Sequence, residues 1–285
     1  MTAADTATDT SALHAHGDVL RVHSTGDPQA PPLLLVHGME GSWTDWRPLA
    51  ARLAGMYRLH LLDLPWRAGG EYRWRAASTS HAWLGLAADL VGRPPVGVVA
   101  HSFGANVTLQ WLARAGVARA VSAAVLIAPF HRPAAVDDDW QTFGRSHADF
   151  EAVMTAGMLS RLGPRAGVVE DDILAGMARK MLDRIGPRGF LTLYEHFLTS
   201  SELPLAEVDL PTLVVAGTDD PGICNERAVE LQRALVAGRL HRSPRLTHFC
   251  HLDQSDEVGD LVAQFLDEAL AELPTCPPPH PLETT

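Results

Sequence analysis

Short, unbroken apolar runs recur along the chain, three of those named next followed within two residues by a glycine or a serine. Leu33-Leu34-Leu35-Val36, Val98-Val99-Ala100, Ala124-Val125-Leu126-Ile127 and Leu213-Val214-Val215-Ala216 contain no alternating polar positions. Such runs mark strands covered on both faces. Strands are expected at 19–24, 33–36, 57–62, 96–100, 124–127, 213–216 and 239–243, and helices at 43–54, 81–91, 104–114, 225–236 and 256–272. Their alternation predicts an α/β chain built on a mostly parallel, doubly wound sheet.

Between Phe130 and Pro211 the alternation stops. Helical, apolar-striped stretches at 149–160, 170–185 and 189–198 replace it. The expected organisation is therefore a core of residues 18–130 and 211–273 with a helical insertion at 131–210. Residues 1–17, rich in Thr, Ala and Asp, and the Pro-rich residues 274–285 are expected to be disordered tails. Met154, Met158, Met177, Met181, Phe190, Leu193, Tyr194 and Phe197 are candidates for the inner face of the insertion, the alternative being that they only pack its helices together.

Candidate chemistry lies at the ends of the apolar runs. Ser102 ends one strand and opens a helix, with Ala100 and Gly104 two positions away on either side. A strand–serine–helix turn lifts the hydroxyl out of the sheet, provided the flanking residues are small. Upstream, Val36-His37-Gly38-Met39-Glu40-Gly41-Ser42 runs from a strand into a glycine-bearing loop. Downstream, Gly217-Thr218-Asp219-Asp220-Pro221 ends another strand in carboxylates, and His248 sits in a loop before the last amphipathic helix. Nucleophile, acid and base thus follow in the order Ser…Asp…His. Phe103, first in the helix after Ser102, offers a backbone N–H to a developing oxyanion. His37 and His101 are expected to brace loops beside the serine. His251 is expected to begin the final helix, and Glu40 to turn away from the entrance and cap its loop. Asp137, Asp138 and Asp139 read as a solvated charge run.

With these residues the chain resembles the α/β-hydrolase superfamily, in its serine-nucleophile, cap-bearing branch, over roughly residues 18–272. The resemblance implies an inserted helical cap, Ser102 as nucleophile and His248 as general base. It favours Asp220 over Asp219 as the orienting acid, by the Gly-x-x-Asp-Pro turn, and makes Met39 the second backbone donor of an oxyanion hole. Two departures stand out. Ala100 replaces the first glycine of the usual turn, and Asp63-Leu64-Pro65-Trp66-Arg67 replaces a glycine-rich Asp-x-Pro-Gly-x-Gly segment. Trp66, Trp140, Met154, Met158, Phe190 and Tyr194 are the expected pocket residues, with Trp66 as a flat wall for a bulky group. The implied reaction is cleavage of an ester or thioester of a medium-sized, largely apolar molecule. Acyl transfer, cyclisation or carbon–carbon bond hydrolysis on the same residues, and ligand binding without turnover, remain open. Relatives that open epoxides or haloalkanes need a carboxylate where Ser102 stands.

Composition narrows the partners. The net charge of −11 over 285 residues disfavours a nucleic-acid surface. Lys180 is the only lysine, an arginine bias that hints at a GC-rich bacterial genome. The three cysteines, Cys224, Cys250 and Cys276, are odd in number and widely spaced, so no disulfide framework is implied. His248-Phe249-Cys250-His251 is too cramped for a structural zinc site, and no phosphate-cradling glycine loop is present. A cytoplasmic protein without cofactor, membrane span or nucleic-acid partner, acting on a small ester-like molecule, is the expectation.

Overall fold

A computed structural model describes residues 13–15, 19–114, 121–221 and 225–271. Its strands are β1 (Leu13–Ala15), β2 (Leu20–Thr25), β3 (Pro32–Val36), β4 (Arg58–Asp63), β5 (Gly97–His101), β6 (Ala123–Ile127), β7 (Thr212–Gly217) and β8 (Gly238–Ser243). They form one sheet in the order β1-β2-β4-β3-β5-β6-β7-β8. β4 through β8 run parallel to one another with β3 among them, while β2 pairs antiparallel with both β1 and β4. The helices are α1 (Arg47–Leu53), α2 (Trp74–Ala77), α3 (Ser80–Leu90), α4 (Phe103–Leu112), α5 (Trp140–Leu162), α6 (Asp171–Ser200), α7 (Asn225–Ala234), α8 (Cys250–Asp253) and α9 (Ser255–Ala271).

The apolar runs are unbroken because successive side chains enter different cores. Leu34, Val36, Val98, Ala100 and Val214 face one core with α3 and α4, while Leu33, Leu35, Val99, Leu213 and Val215 face the other with α1 and α9. Period-two geometry sends neighbours to opposite faces, and here both faces are buried. Sheet order reverses direction at β3, since β4 lies on one side of it and β5 on the other. A crevice opens at such a switch point, beyond the carboxyl ends of the strands. Residues 37–42 and Ser102 leave β3 and β5 at that end.

Three expectations change. Residues 13–15, placed in a disordered tail, pair with β2 in the register Leu13↔Val22, His14↔Arg21 and Ala15↔Leu20, so an exposed sheet edge captures them. Residues 1–12 and 274–285, with Cys224 and Cys276, lie outside the described residues. The first helix of the insertion is longer than expected, whereas the break expected between 185 and 189 is present as a kink that joins the other two. α5 begins nine residues before the expected start, because the Asp139 carboxylate accepts from the Thr142 N–H at 2.7 Å and caps it. α6 continues through Pro187 with a kink at Gly186, whose φ of 60° and ψ of −173° are not helical. His251 lies in the separate turn α8, not at the start of α9. Among the described residues no helix is long and apolar enough to cross a membrane.

The acid-bearing and histidine-bearing loops are set by one close approach. A Cβ on Gly217 would overlap the Leu246 carbonyl oxygen, so only glycine lets the end of β7 touch the chain before His248. Gly217→Val is expected to lower the unfolding free energy by about 1–3 kcal/mol, read by urea titration. Unchanged stability would show that the two loops part freely.

Four histidines are buried where charge is costly. Burial pulls His60 and His131 down to about 4 and His196 and His251 down to about 3. Below their ordinary value of 6.5 the unfolded chain takes up protons that the native rings refuse, so stability falls as pH drops from 6.5 toward these values. Neither ring nitrogen of His251 has a partner among the described residues. His251→Leu is expected to flatten the acid-side slope by about 1 kcal/mol per pH unit, in urea titrations between pH 6.5 and pH 4. An unaltered slope would show that His251 is not buried neutral.

Candidate active site

The backbone first. Ser102 has φ 51° and ψ −118°, a left-handed region that a non-glycine residue occupies only under constraint. Its N–H donates to the Ile127 carbonyl at 2.8 Å, and its own carbonyl accepts from Ala105 and Asn106 to start α4. A Cβ on Gly104 would lie 2.8 Å from the Val36 carbonyl oxygen and closer still to that of His37. Glycine is thus required after the serine, where α4 presses on the end of β3. Position 100 has no such need: Ala100 lies inside β5 between Val36 and Leu126, and its methyl fills the core.

The loops at the ends of β7 and β8 bring two more side chains to Ser102. The Ser102 hydroxyl lies 2.9 Å from His248 Nε2, and His248 Nδ1 lies 2.8 and 2.9 Å from the two Asp220 oxygens. A carboxylate only accepts, so Nδ1 carries the proton and Nε2 accepts from the serine O–H. All three residues are buried. Asp219, the alternative acid, is exposed and accepts from the Thr218 hydroxyl at 3.3 Å. The ring of His248 is held from behind. His101 Nε2 donates to the His248 carbonyl at 2.9 Å, and Phe249 packs against both rings. Gly157 of α5 leaves the room that the Phe249 ring occupies.

The other histidines nearby are neutral braces. Burial lowers His37, and it lowers His101 further, with His251 and His248 pushing the same way. His37 accepts from the Leu64 N–H on Nε2 at 2.9 Å and donates from Nδ1 to the Gly38 carbonyl at 2.8 Å, which fixes its tautomer. Among the described residues, only His248 has a carboxylate on one nitrogen and a hydroxyl on the other.

In the loop after β3, the Glu40 N–H donates to Trp66 and the Gly41 N–H to Gly38. Among the described residues, neither the Met39 nor the Phe103 N–H has an acceptor. These are the two backbone donors expected from the sequence. Trp66 is 1% exposed, and its indole N–H donates to the His37 carbonyl at 3.0 Å. It clamps this loop and does not wall the pocket. Glu40 neither lines an entrance nor caps its loop. Its buried carboxylate accepts from the Tyr72 hydroxyl at 2.9 Å and from Arg184 of α6 at 2.6 Å. Asp45, also buried, takes a forked contact from Arg161 of α5. Both long helices are therefore tied by arginine to the chain that follows β3.

A cavity of about 40 Å³ adjoins Ser102 and His248. Phe130, Phe150, Val153, Leu193 and Phe197 form its apolar wall, and Ser146, Asp149 and Arg227 its polar one. Leu193 and Phe197 meet the expectation for the inner face. The other expected pocket residues lie elsewhere. Trp140 is 86% exposed at the start of α5, edge-on to Phe143, because the Asp139 cap turns that first residue outward. Met154 is buried in the core and Met158 is half-buried, neither reaching the cavity. Phe190 and Tyr194 stack on each other and meet Phe143 edge-on, packing α6 against α5. Sequence reasoning missed Ser146, Asp149, Phe150 and Val153, although their i, i+3, i+4, i+7 spacing marks one face of α5. A larger hollow of about 580 Å³, bordered by Ser78, His81, Gln110, Arg114 and Glu195, does not touch Ser102. Among the described residues no three His, Cys, Asp or Glu side chains cluster as for a metal.

Comparison with known proteins agrees with this architecture. The sequence profile described as "Alpha/beta hydrolase family" matches residues 33–261. No curated protein sequence matches the chain. Among solved structures, an esterase from a Rhodococcus species is 20% identical, with 88% of this chain and 95% of that one covered and a TM-score of 0.64. A bacterial membrane phospholipase A is 17% identical over 91% and 86%, with a TM-score of 0.69. A thermophilic esterase from Thermogutta terrifontis is 18% identical over 88% and 93%, with a TM-score of 0.60. Identities this low carry the fold alone; the profile match, spanning most of the sheet and its helices, places the chain in the alpha/beta hydrolase family.

Proposed function

We propose that the protein hydrolyses a carboxylic ester or thioester through an acyl-enzyme on Ser102. The observation that carries this reading is the continuous hydrogen-bonded chain Ser102–His248–Asp220, with two unpaired backbone N–H groups in the adjoining turns. The serine oxygen attacks the carbonyl carbon while its proton passes to His248 Nε2. The Asp220 carboxylate keeps Nδ1 protonated and stabilises the imidazolium. The oxyanion is received by the Met39 and Phe103 N–H groups, each worth roughly a hundred- to a thousandfold in rate. His248 then returns the proton to the leaving alcohol or thiol. In the second half, water attacks the acyl carbon, gives its proton to His248, and frees the acid with Ser102 restored.

The cavity bears on substrate size. At about 40 Å³ it is far below the roughly 300–1,000 Å³ of pockets that enclose whole ligands. It suits a short acyl group, leaving the remainder of a medium-sized substrate outside. The esterase and phospholipase descriptions of similar structures agree with this reaction class.

A fluorophosphonate probe is expected to label the wild type and not Ser102→Ala. Turnover of p-nitrophenyl acetate should fall roughly 10⁴- to 10⁶-fold in Ser102→Ala or His248→Ala, and about 10⁴-fold in Asp220→Asn. Acetyl and propionyl esters should exceed octanoyl esters in kcat/KM. Labelling that persists without Ser102, or folded wild type that neither labels nor turns over any ester, would overturn the proposal; the latter outcome would favour a binding protein.

A further inference from the structure

The cavity beside Ser102 holds a cation that the reaction above does not use. Arg227, on α7, lines it together with Ser102 and His248. Its guanidinium lies over the face of Phe197, with Cζ 4.9 Å from the ring centroid. This contact holds the group against the ring without engaging its five N–H donors. Among the described residues it makes no hydrogen bond and has no carboxylate oxygen within ion-pair distance. Exposed arginines such as Arg47 and Arg179 also lack a carboxylate partner among the described residues, but Arg227 is half-buried and lies beside Ser102. Arg52, Arg75, Arg161, Arg184, Arg239 and Arg245 all hold carboxylates.

The carboxylate across the cavity does not close the gap. Asp149 of α5 lines the same space, yet no ion pair joins it to Arg227. Burial keeps the Asp149 carboxyl above its ordinary value, Asp220 pushes it the same way, and Arg227 and Arg145 oppose the shift. Among the described residues, the guanidinium side of this chamber therefore has no acceptor bound to it. A half-buried guanidinium fork matches a planar carboxylate in two parallel hydrogen bonds.

We infer that Arg227 binds a carboxylate of the substrate, so that the preferred esters or thioesters carry a free carboxylate a short chain from the scissile carbonyl. This rests on the hydrolytic reading of Ser102 and adds the substrate class. Arg227 orients the anion while the carbonyl meets the Met39 and Phe103 N–H groups, which lowers the cost of ordering a small, flexible acyl chain.

The test compares kcat/KM for monoethyl glutarate, ethyl butyrate and a cationic ester of glycine betaine, followed by acid release. In the wild type the anionic ester is expected to exceed the neutral one by about 10- to 100-fold, the range of a charge-assisted hydrogen-bonded contact. That ratio should fall close to unity in Arg227→Met, which keeps the apolar stem over Phe197. In Arg227→Lys, which keeps the charge without the fork, it should fall several-fold. Should the Met variant not fold, the Lys variant and competition by glutarate against fluorophosphonate labelling of the wild type read the same contact. Labelled, active enzyme that shows no preference, or prefers the cationic ester, overturns the inference and leaves the hydrolase intact. Wild type that neither labels nor cleaves any of the three overturns the reaction and this inference with it.

Discussion

The backbone at Ser102 is held in a conformation it would not choose, and the site is organised around that constraint. Its N–H is fixed to Ile127 on β6 and its carbonyl to the first turn of α4, while Gly104 presses that turn on the carbonyl ends of β3. A left-handed serine costs on the order of 1–3 kcal/mol. The parallel core offsets that cost: β3, β5 and β6 are buried on both faces, so the ends of these strands cannot relax apart. The same geometry points the Phe103 N–H outward and brings the loop after β3 alongside it. The strained Ser102 backbone and the neighbouring Phe103 N–H thus follow from one packing contact.

Buried polar groups around this turn are accommodated in different ways. His37 and His101 are neutral with a fixed tautomer, and Asp45 and Glu40 each have an opposite charge against them. His251, by contrast, has no hydrogen-bond partner on either ring nitrogen among the described residues. His37 and His101 are kept uncharged by desolvation and act as rigid spacers between loops. Asp45 and Glu40 are buried acids tied to Arg161 and Arg184 on the long helices. Removing either arginine would strand a carboxylate in a dry place, at a cost of roughly 1–3 kcal/mol or more. The inserted helices therefore bear on the oxyanion loop through specific ion pairs as well as apolar packing.

Much of this was legible before coordinates. Seven of the eight described strands were expected, and the central β3, β5, β6 and β7, buried on both faces, left a continuous apolar signature. Ser102, Asp220 and His248 were legible because each closes a strand or opens a helix, where only loop residues can converge. The failures have physical causes. Leu13–Ala15 is too short to signal alone and depends on an edge partner. α5 has only five buried residues in 23, so its length came from the Asp139 cap and not from its stripe. Tryptophan misled most, since Trp66 and Trp140 are 1% and 86% exposed although both flank the expected cleft. A large amphipathic ring fits a core, a loop clamp or a surface, and tertiary context decides among them.

The division of labour between elements explains why cavity walls were harder to read than the reacting groups. Ser102, Asp220, His248 and the two backbone donors all leave the carboxyl ends of core strands or the loops that follow them, where sheet geometry fixes their spacing. The cavity wall comes from α5, α6 and α7, together with Phe130. Phe130 is the link between the two sets, because Asn106 of α4 bonds both its N–H and its carbonyl and so ties the wall to the nucleophile helix. Helix faces can change their side chains without moving a strand end. A fold built this way keeps Ser102, Asp220 and His248 in register while helix residues such as Arg227, which no strand pattern announces, shape the space beside them.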